Sequence, residues 1–203
     1  EVESDFVSSC RTDHGGPQRL RPGVRKYFCE LELDTNTVYR NLKLSDNNRK
    51  VTHVGEDQSY PDHPDRFYYF PQLLCRNGLT GRCYWEVERR RRVDISVSYR
   101  GISRRGNSTD CVFGWNDHSW SLVCSDDGYC VCHNKRRTVL TSFPVSNRVA
   151  VYVDCLAGTL SFYTVSSDSL IHLHTFNTTF TQPLYPGFRL WSGSSVSLCP
   201  LQD

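Results

Sequence analysis

The chain has 203 residues, 24 of them basic and 22 acidic, for a formal charge of +2, and that near balance does not mark it as a nucleic-acid binder. Val (19), Leu (18), Tyr (11) and Phe (10) dominate the apolar set, whereas Ala (2) and Met (0) are nearly absent, which excludes a mainly helical protein. No apolar run approaches the roughly 18 residues of a membrane-crossing helix, and at this length a hydrophobic core can support the fold without metal or cross-link.

In chain order, residues 1–25 are polar and broken by Gly15-Gly16-Pro17 and Pro22-Gly23, the pattern of a linker or N-terminal extension. With no initiator Met and no signal-peptide core, the chain is expected to be a segment of a longer one. Tyr27, Cys29, Leu31 and Leu33 then alternate with charged residues, and Leu42 and Leu44 follow. Pro61, Pro64 and Pro71 interrupt Tyr60–Leu74 around Phe67, Tyr68, Tyr69 and Phe70, so this stretch is not a regular strand. It is either a recognition loop or an aromatic plug for one end of the fold.

Tyr84–Glu88 and Val93–Tyr99 read as strands, with Asp94, Ser96 and Ser98 on the watered face of the second. Between them Arg89-Arg90-Arg91-Arg92 is expected to form a turn, because continuing the strand would aim two arginines at the core. Trp120, Leu122 and Cys124 alternate, as do Val149, Val151 and Val153, and then Val196 and Leu198. Asp127-Gly128 and Ala157-Gly158 mark tight hairpins. His172 and His174 share a face on one strand, read as a solvated face. Many short strands without an intervening helical period predict an all-β antiparallel sandwich.

No nucleophile elbow, phosphate loop, zinc-protease or dinucleotide motif is present, so neither catalytic residues nor a cofactor are expected. The ten cysteines lie mostly within strand patterns and are expected to be free thiols of an intracellular protein. Cys130, Cys132 and His133 do not make a metal site, since on a strand the two cysteines face one way and the histidine the other. The sequons at Asn107 and Asn177 matter only in a secreted chain. Twenty arginines against four lysines favour a contact surface. Arg89–Arg92 with Arg104, Arg105, Arg136 and Arg137 could form a basic patch for RNA or phospholipid, or simply be solvated charge.

These segments add up to a resemblance. Leu31-Glu32-Leu33-Asp34 with Thr35-Asn36-Thr37, then Leu42–Ser45 and Arg49-Lys50-Val51, resembles the PRY segment. Gly81–Glu88, Asn116–Leu122, Val151–Tyr163 and Leu184–Phe188 are similar, in order, to the SPRY signatures. The finer texture of Tyr60–Phe67 and His172–Phe176 is similar to fish versions, in NOD-like receptors, tripartite-motif proteins and stonefish-type cytolysins. Two positions depart from the pattern: Arg89 stands where Trp is common, and Cys155 where Tyr or Trp is frequent.

The resemblance implies a bent β-sandwich of two sheets, with PRY over about residues 26–78 and SPRY over about 79–203. It implies a cytoplasmic, non-catalytic module of innate immunity that binds protein through loops on one face. A toxin-subunit domain and an RNA-binding accessory domain are the alternatives. The implied loops are Tyr60–Phe70, Arg100–Asn107, Ser125–Tyr129 and Arg189–Ser194. Aromatic and arginine side chains are the usual interface anchors, which singles out Phe67, Tyr68, Tyr69, Tyr129, Arg189 and Trp191. Trp85 and Trp120 fall in signature strands and are assigned to the core.

Overall fold

The structure, a computed structural model, describes residues 23–200; most of the expected extension, residues 1–22, lies outside them. In chain order the strands are β1 (Leu42–Ser45), β2 (Lys50–His53), β3 (Gln72–Leu74), β4 (Arg82–Arg90), β5 (Val93–Tyr99), β6 (Ser119–Ser125) and β7 (Gly128–His133). Then come β8 (Arg136–Leu140), β9 (Arg148–Asp154), β10 (Thr159–Ser166), β11 (Ser169–Asn177), β12 (Leu184–Leu190) and β13 (Ser195–Leu198). One antiparallel sheet runs β1-β2-β13-β4-β9-β10-β11, and the other β3-β12-β5-β6-β7-β8. The predicted all-β sandwich is present and both expected hairpins form: Asp154 pairs with Thr159, and Ser125 pairs with Gly128, so that the latter turn is Asp126-Asp127 rather than Asp127-Gly128.

The alternating apolar positions meet between the sheets. Trp85, Val87, Val151, Leu160 and Phe162 from one side face Ile95, Val97, Trp120, Leu122 and Phe188 from the other. Trp120 is stacked on His133 at 4.6 Å and met edge-on by Tyr99 and Phe180.

Both outer faces are covered as well. Val24, Tyr27 and Phe28, from the 3-10 turn Gly23–Tyr27 and the residue after it, lie on Tyr84, Tyr152 and Tyr163 of the larger sheet. Phe67, Ile102 and Phe113, from two long loops, lie against Leu74 on the smaller one. Strand β5 is consequently buried at every position, and Asp94, Ser96 and Ser98 do not face water as their alternation predicts. Ser96 Oγ donates to Ser121 Oγ at 2.8 Å, and Ser98 Oγ donates to the Tyr99 carbonyl.

Four further expectations are corrected. The Tyr27–Leu33 segment is not a strand: it pairs only through isolated bridges at Phe28 and Leu33, although Leu31 and Leu33 are buried. Strand β4 continues through Arg90, so the turn is Arg91-Arg92 and the Arg89 side chain points fully inside. Its charge is not stranded there. Nη1 donates to the Arg91 carbonyl at 2.9 Å and to Asp126 Oδ1 at 3.2 Å, and Nη2 donates to the Ser125 carbonyl at 3.0 Å. These bonds tie the β4–β5 turn to the β6–β7 hairpin, in the position where the resemblance expects a tryptophan.

A register shift between Phe162 and Tyr163 sets His174 opposite the first and His172 opposite the second, so the two histidines do not share a face. His172 sits beside Tyr163 and His174 beside Phe176. Finally, Cys29 and Cys83 form a disulfide with Cα atoms 5.6 Å apart, against the expectation of free thiols throughout. Cys75, Cys111, Cys124, Cys130, Cys132, Cys155 and Cys199 are free.

Trp120→Ala should open a core cavity and lower unfolding free energy by about 3–5 kcal/mol in a denaturant melt. Arg89→Ala should cost more than about 2 kcal/mol, because it empties a packed interior position and unties two loops. Arg90→Ser, at an exposed position, should shift stability by less than about 1 kcal/mol.

Candidate functional site

Two of the four implied loops, Tyr60–Phe70 and Arg100–Asn107, pack against each other, and Phe70 at the end of the first meets Arg189 of a third. Arg66, in Tyr60–Phe70, is buried and donates to the carbonyls of Pro61, Thr35 and Val38. Arg104, in the neighbouring loop, donates to the carbonyls of Asp65, Ile102 and Arg100 and lies over the Phe67 ring at 4.9 Å. Phe67 itself is 1% exposed and meets Phe113 edge-on. It is the plug, not a contact residue. Tyr68 and Tyr69, the next two residues, are thrown outward at 54% and 55% exposure by this anchoring. The aromatic stretch is therefore divided between a buried plug and two exposed side chains.

Tyr129 is the second correction. It is 3% exposed, with its hydroxyl bonded to Thr164 Oγ1 at 2.9 Å, because its place in β7 puts it on the inter-sheet face. Arg189 and Trp191 do reach the surface, and strand register explains their setting. Arg189 on β12 lies opposite Gln72 on β3 and Asp94 on β5, and Leu190 lies opposite Val93. Two residues further on, Trp191 comes between Arg189 and Arg92.

The result is a ladder of rings and guanidinium groups. Arg189 Cζ sits 5.4 Å from the Phe70 ring and 4.7 Å from the Trp191 ring, and Arg92 Cζ lies 3.9 Å from Trp191. Tyr69 meets Phe70 edge-on at 5.3 Å, which extends the ladder to the exposed tyrosines. The turn after β12 is rigid: Ser194 Oγ bonds both the N–H and the carbonyl of Trp191, and Gly193 adopts φ +78°, with Arg91 packed where a Cβ would stand. That left-handed position favours glycine.

Beneath the ladder lies Asp94, 2% exposed, with Oδ1 free of any hydrogen bond. Burial pushes its carboxyl up to about 7, against the opposing pull of Arg189 and Arg92. Burial likewise lowers the Arg189 guanidinium, whose Nε has no partner. Phe70 and Asp94 were not singled out as site residues from sequence, and Arg92 was named only within the charge run Arg89–Arg92.

The larger basic patch does not assemble. Arg89 is internal, Arg104 is engaged by backbone, and Arg136 and Arg137 lie on β8, three strands from β5. Cys130 and Cys132 are buried on one face of β7 while His133 turns to Trp120.

The Asp94 environment has a stability consequence. Below about pH 4 the carboxyl is protonated in both folded and unfolded chains; from there to about pH 7 only the unfolded chain has released the proton. Stability therefore falls as pH rises through this window, by up to about 4 kcal/mol for a shift of this size. Asp94→Asn should flatten that slope in denaturant melts at pH 5 and pH 8 and should gain stability at the higher pH.

A family model described as the SPRY-associated domain PRY matches residues 31–79, and the SPRY domain model matches residues 82–202. Stonustoxin subunit alpha of Synanceia horrida is 41% identical over 175 residues, which are 85% of this chain and 25% of the toxin subunit. Tripartite motif-containing protein 16 of Mus musculus is 33% identical over 193 residues, 94% of this chain and 34% of that protein. The chain thus spans about a quarter to a third of these relatives. Among solved structures, stonustoxin superposes with a TM-score of 0.83 at 37% identity, over 87% of this chain and 30% of that one. The TRIM65 PSpry domain superposes with a TM-score of 0.82 at 26% identity, over 91% of this chain and 98% of that one. On these matches the chain belongs to the SPRY domain family, with the associated PRY segment at its N-terminal side.

Proposed function

We propose that this chain is a non-catalytic protein-recognition module, the C-terminal ligand- or substrate-binding domain of a larger innate-immune receptor or tripartite-motif protein, working in the cytoplasm. One observation carries the reading. Tyr68 and Tyr69 stand more than half exposed on a loop pinned by buried Arg66 and Phe67, and no other aromatic side chain among the described residues is exposed. Rigidly held aromatic and arginine side chains bind with little loss of side-chain entropy, which makes them effective anchors. The kinship with tripartite-motif proteins supports the assignment of class.

A second reading, the domain of a secreted cytolysin-type subunit, is favoured by the Cys29–Cys83 disulfide together with the toxin relatives. The recognition face is the same in both. The test blocks free thiols under denaturing conditions in protein from its native source, then reduces it and titrates the thiols that reduction releases. The Cys29–Cys83 pair should release two thiols on reduction in the secreted case and none in the cytoplasmic one.

The face itself is tested by substitution. The Tyr68→Ala/Tyr69→Ala double variant and Trp191→Ala should each lose about tenfold or more in partner retention, measured by quantitative pull-down. Trp191→Ala should cost less than about 1.5 kcal/mol of stability. Leu156→Ala, at the exposed β9–β10 hairpin, should bind as the wild type does. An unchanged partner profile in both aromatic variants would remove this face from the site.

A further inference from the structure

The recognition face has an unbalanced charge. Arg90, Arg91 and Arg92 are exposed, and among the described residues none of them, nor Arg40 or Arg189, forms an ion pair with a carboxylate. The acids nearby are already committed: Asp62 to Arg105, Asp65 to Arg100, and Asp126 to Arg89. Asp94 is close to Arg189 but buried and without a hydrogen bond at Oδ1. In the ladder, Arg92 and Arg189 both lie over the Trp191 ring. A guanidinium stacked by its face keeps its N–H edge for an in-plane acceptor, and a carboxylate fits that edge with two parallel hydrogen bonds.

We propose that this face binds an acidic peptide segment of the partner, with a carboxylate side chain taken by Arg92 and Arg189 at the edge of Trp191, and neighbouring apolar side chains laid on Phe70, Tyr69 and Tyr68. The proposal rests on the reading of this face as the recognition site. Nucleic acid is the poorer match. A polyanion needs a continuous basic track, whereas Arg89 is internal, Arg104 is occupied, and Arg136 and Arg137 are three strands away.

Asp94 gives the site a second signature. The charged groups around it are Arg92 in the turn before its own strand and Arg189 on β12, and the titratable ones also include the thiols of Cys124 on β6 and of Cys130 and Cys132 on β7. An incoming carboxylate opposes ionisation of Asp94, so binding takes up a proton. Affinity for the acidic segment should therefore fall as pH rises from 6 to 8, and Asp94→Asn should bind more tightly at pH 8 and lose that dependence.

The test pans a random twelve-residue peptide library on the full 203-residue chain, then measures selected peptides by fluorescence anisotropy at 0.15 M salt. Enrichment of Asp and Glu beside apolar residues is expected. Changing those acids to amides should cost tenfold or more in affinity, as should Arg92→Gln, a turn variant whose folding is checked by its melt. Selected peptides that are apolar or basic, yet lost in Trp191→Ala, would overturn the acidic assignment while leaving the face in place. Acidic peptides that bind equally to Trp191→Ala and Arg92→Gln would instead move the site elsewhere. Failure to enrich acidic sequences, or tighter binding of polyuridylate RNA or inorganic tripolyphosphate through the same arginines, would also overturn the proposal.

Discussion

Strand β5 is closed to water on both faces, and most of what distinguishes this molecule follows from that constraint. One face carries Val93, Ile95 and Val97 into the space between the sheets. The other carries Asp94, Ser96 and Ser98 under the loops that bring Phe67 and Phe113 onto the smaller sheet. A strand with polar residues at every second position does not ordinarily bury that side, since each such group must find a partner or remain a penalty. Ser96 and Ser98 find theirs within the sheet. Asp94 does not, and its carboxyl sits where burial holds the proton on while two arginines draw it off.

The covering loops link fold to function. Their buried ends, Phe67 and Arg66, bind the loop to the PRY segment and to the outer face of the sheet, and the same anchoring forces Tyr68 and Tyr69 outward. Gln72 fastens the other loop: its side chain donates to the Cys111 carbonyl and accepts from the Phe113 N–H. In the proposed recognition role, exposed tyrosines on a mobile loop would give up much of their binding energy to ordering, whereas tyrosines held by buried neighbours would retain it.

Arg89 illustrates how one substitution against a family pattern is absorbed. The site lies inside, so a residue as large as tryptophan suits it, and the arginine stem fills part of that space. Its head meets two backbone carbonyls and an aspartate from the facing hairpin, which compensates the loss of solvent. The exchange also joins the arginine turn to the β6–β7 hairpin, next to the ladder at Trp191.

The chain order of apolar alternation, the turn residues and the shortage of helix formers determined the sandwich, its hairpins and the core positions of Trp85 and Trp120. These are local signals, written in residues that are neighbours along the strand. The burial of Asp94, Tyr129 and Phe67, the inward turn of Arg89 and the separation of His172 from His174 were decided only in three dimensions. Alternation fixes which residues share a face but not what covers that face. One extra residue in a strand then reverses every later assignment on it. The ladder is the clearest case. Arg92 and Trp191 are far apart in sequence and face each other because β5 pairs with β12 in one register, a fact that no short stretch of either strand contains.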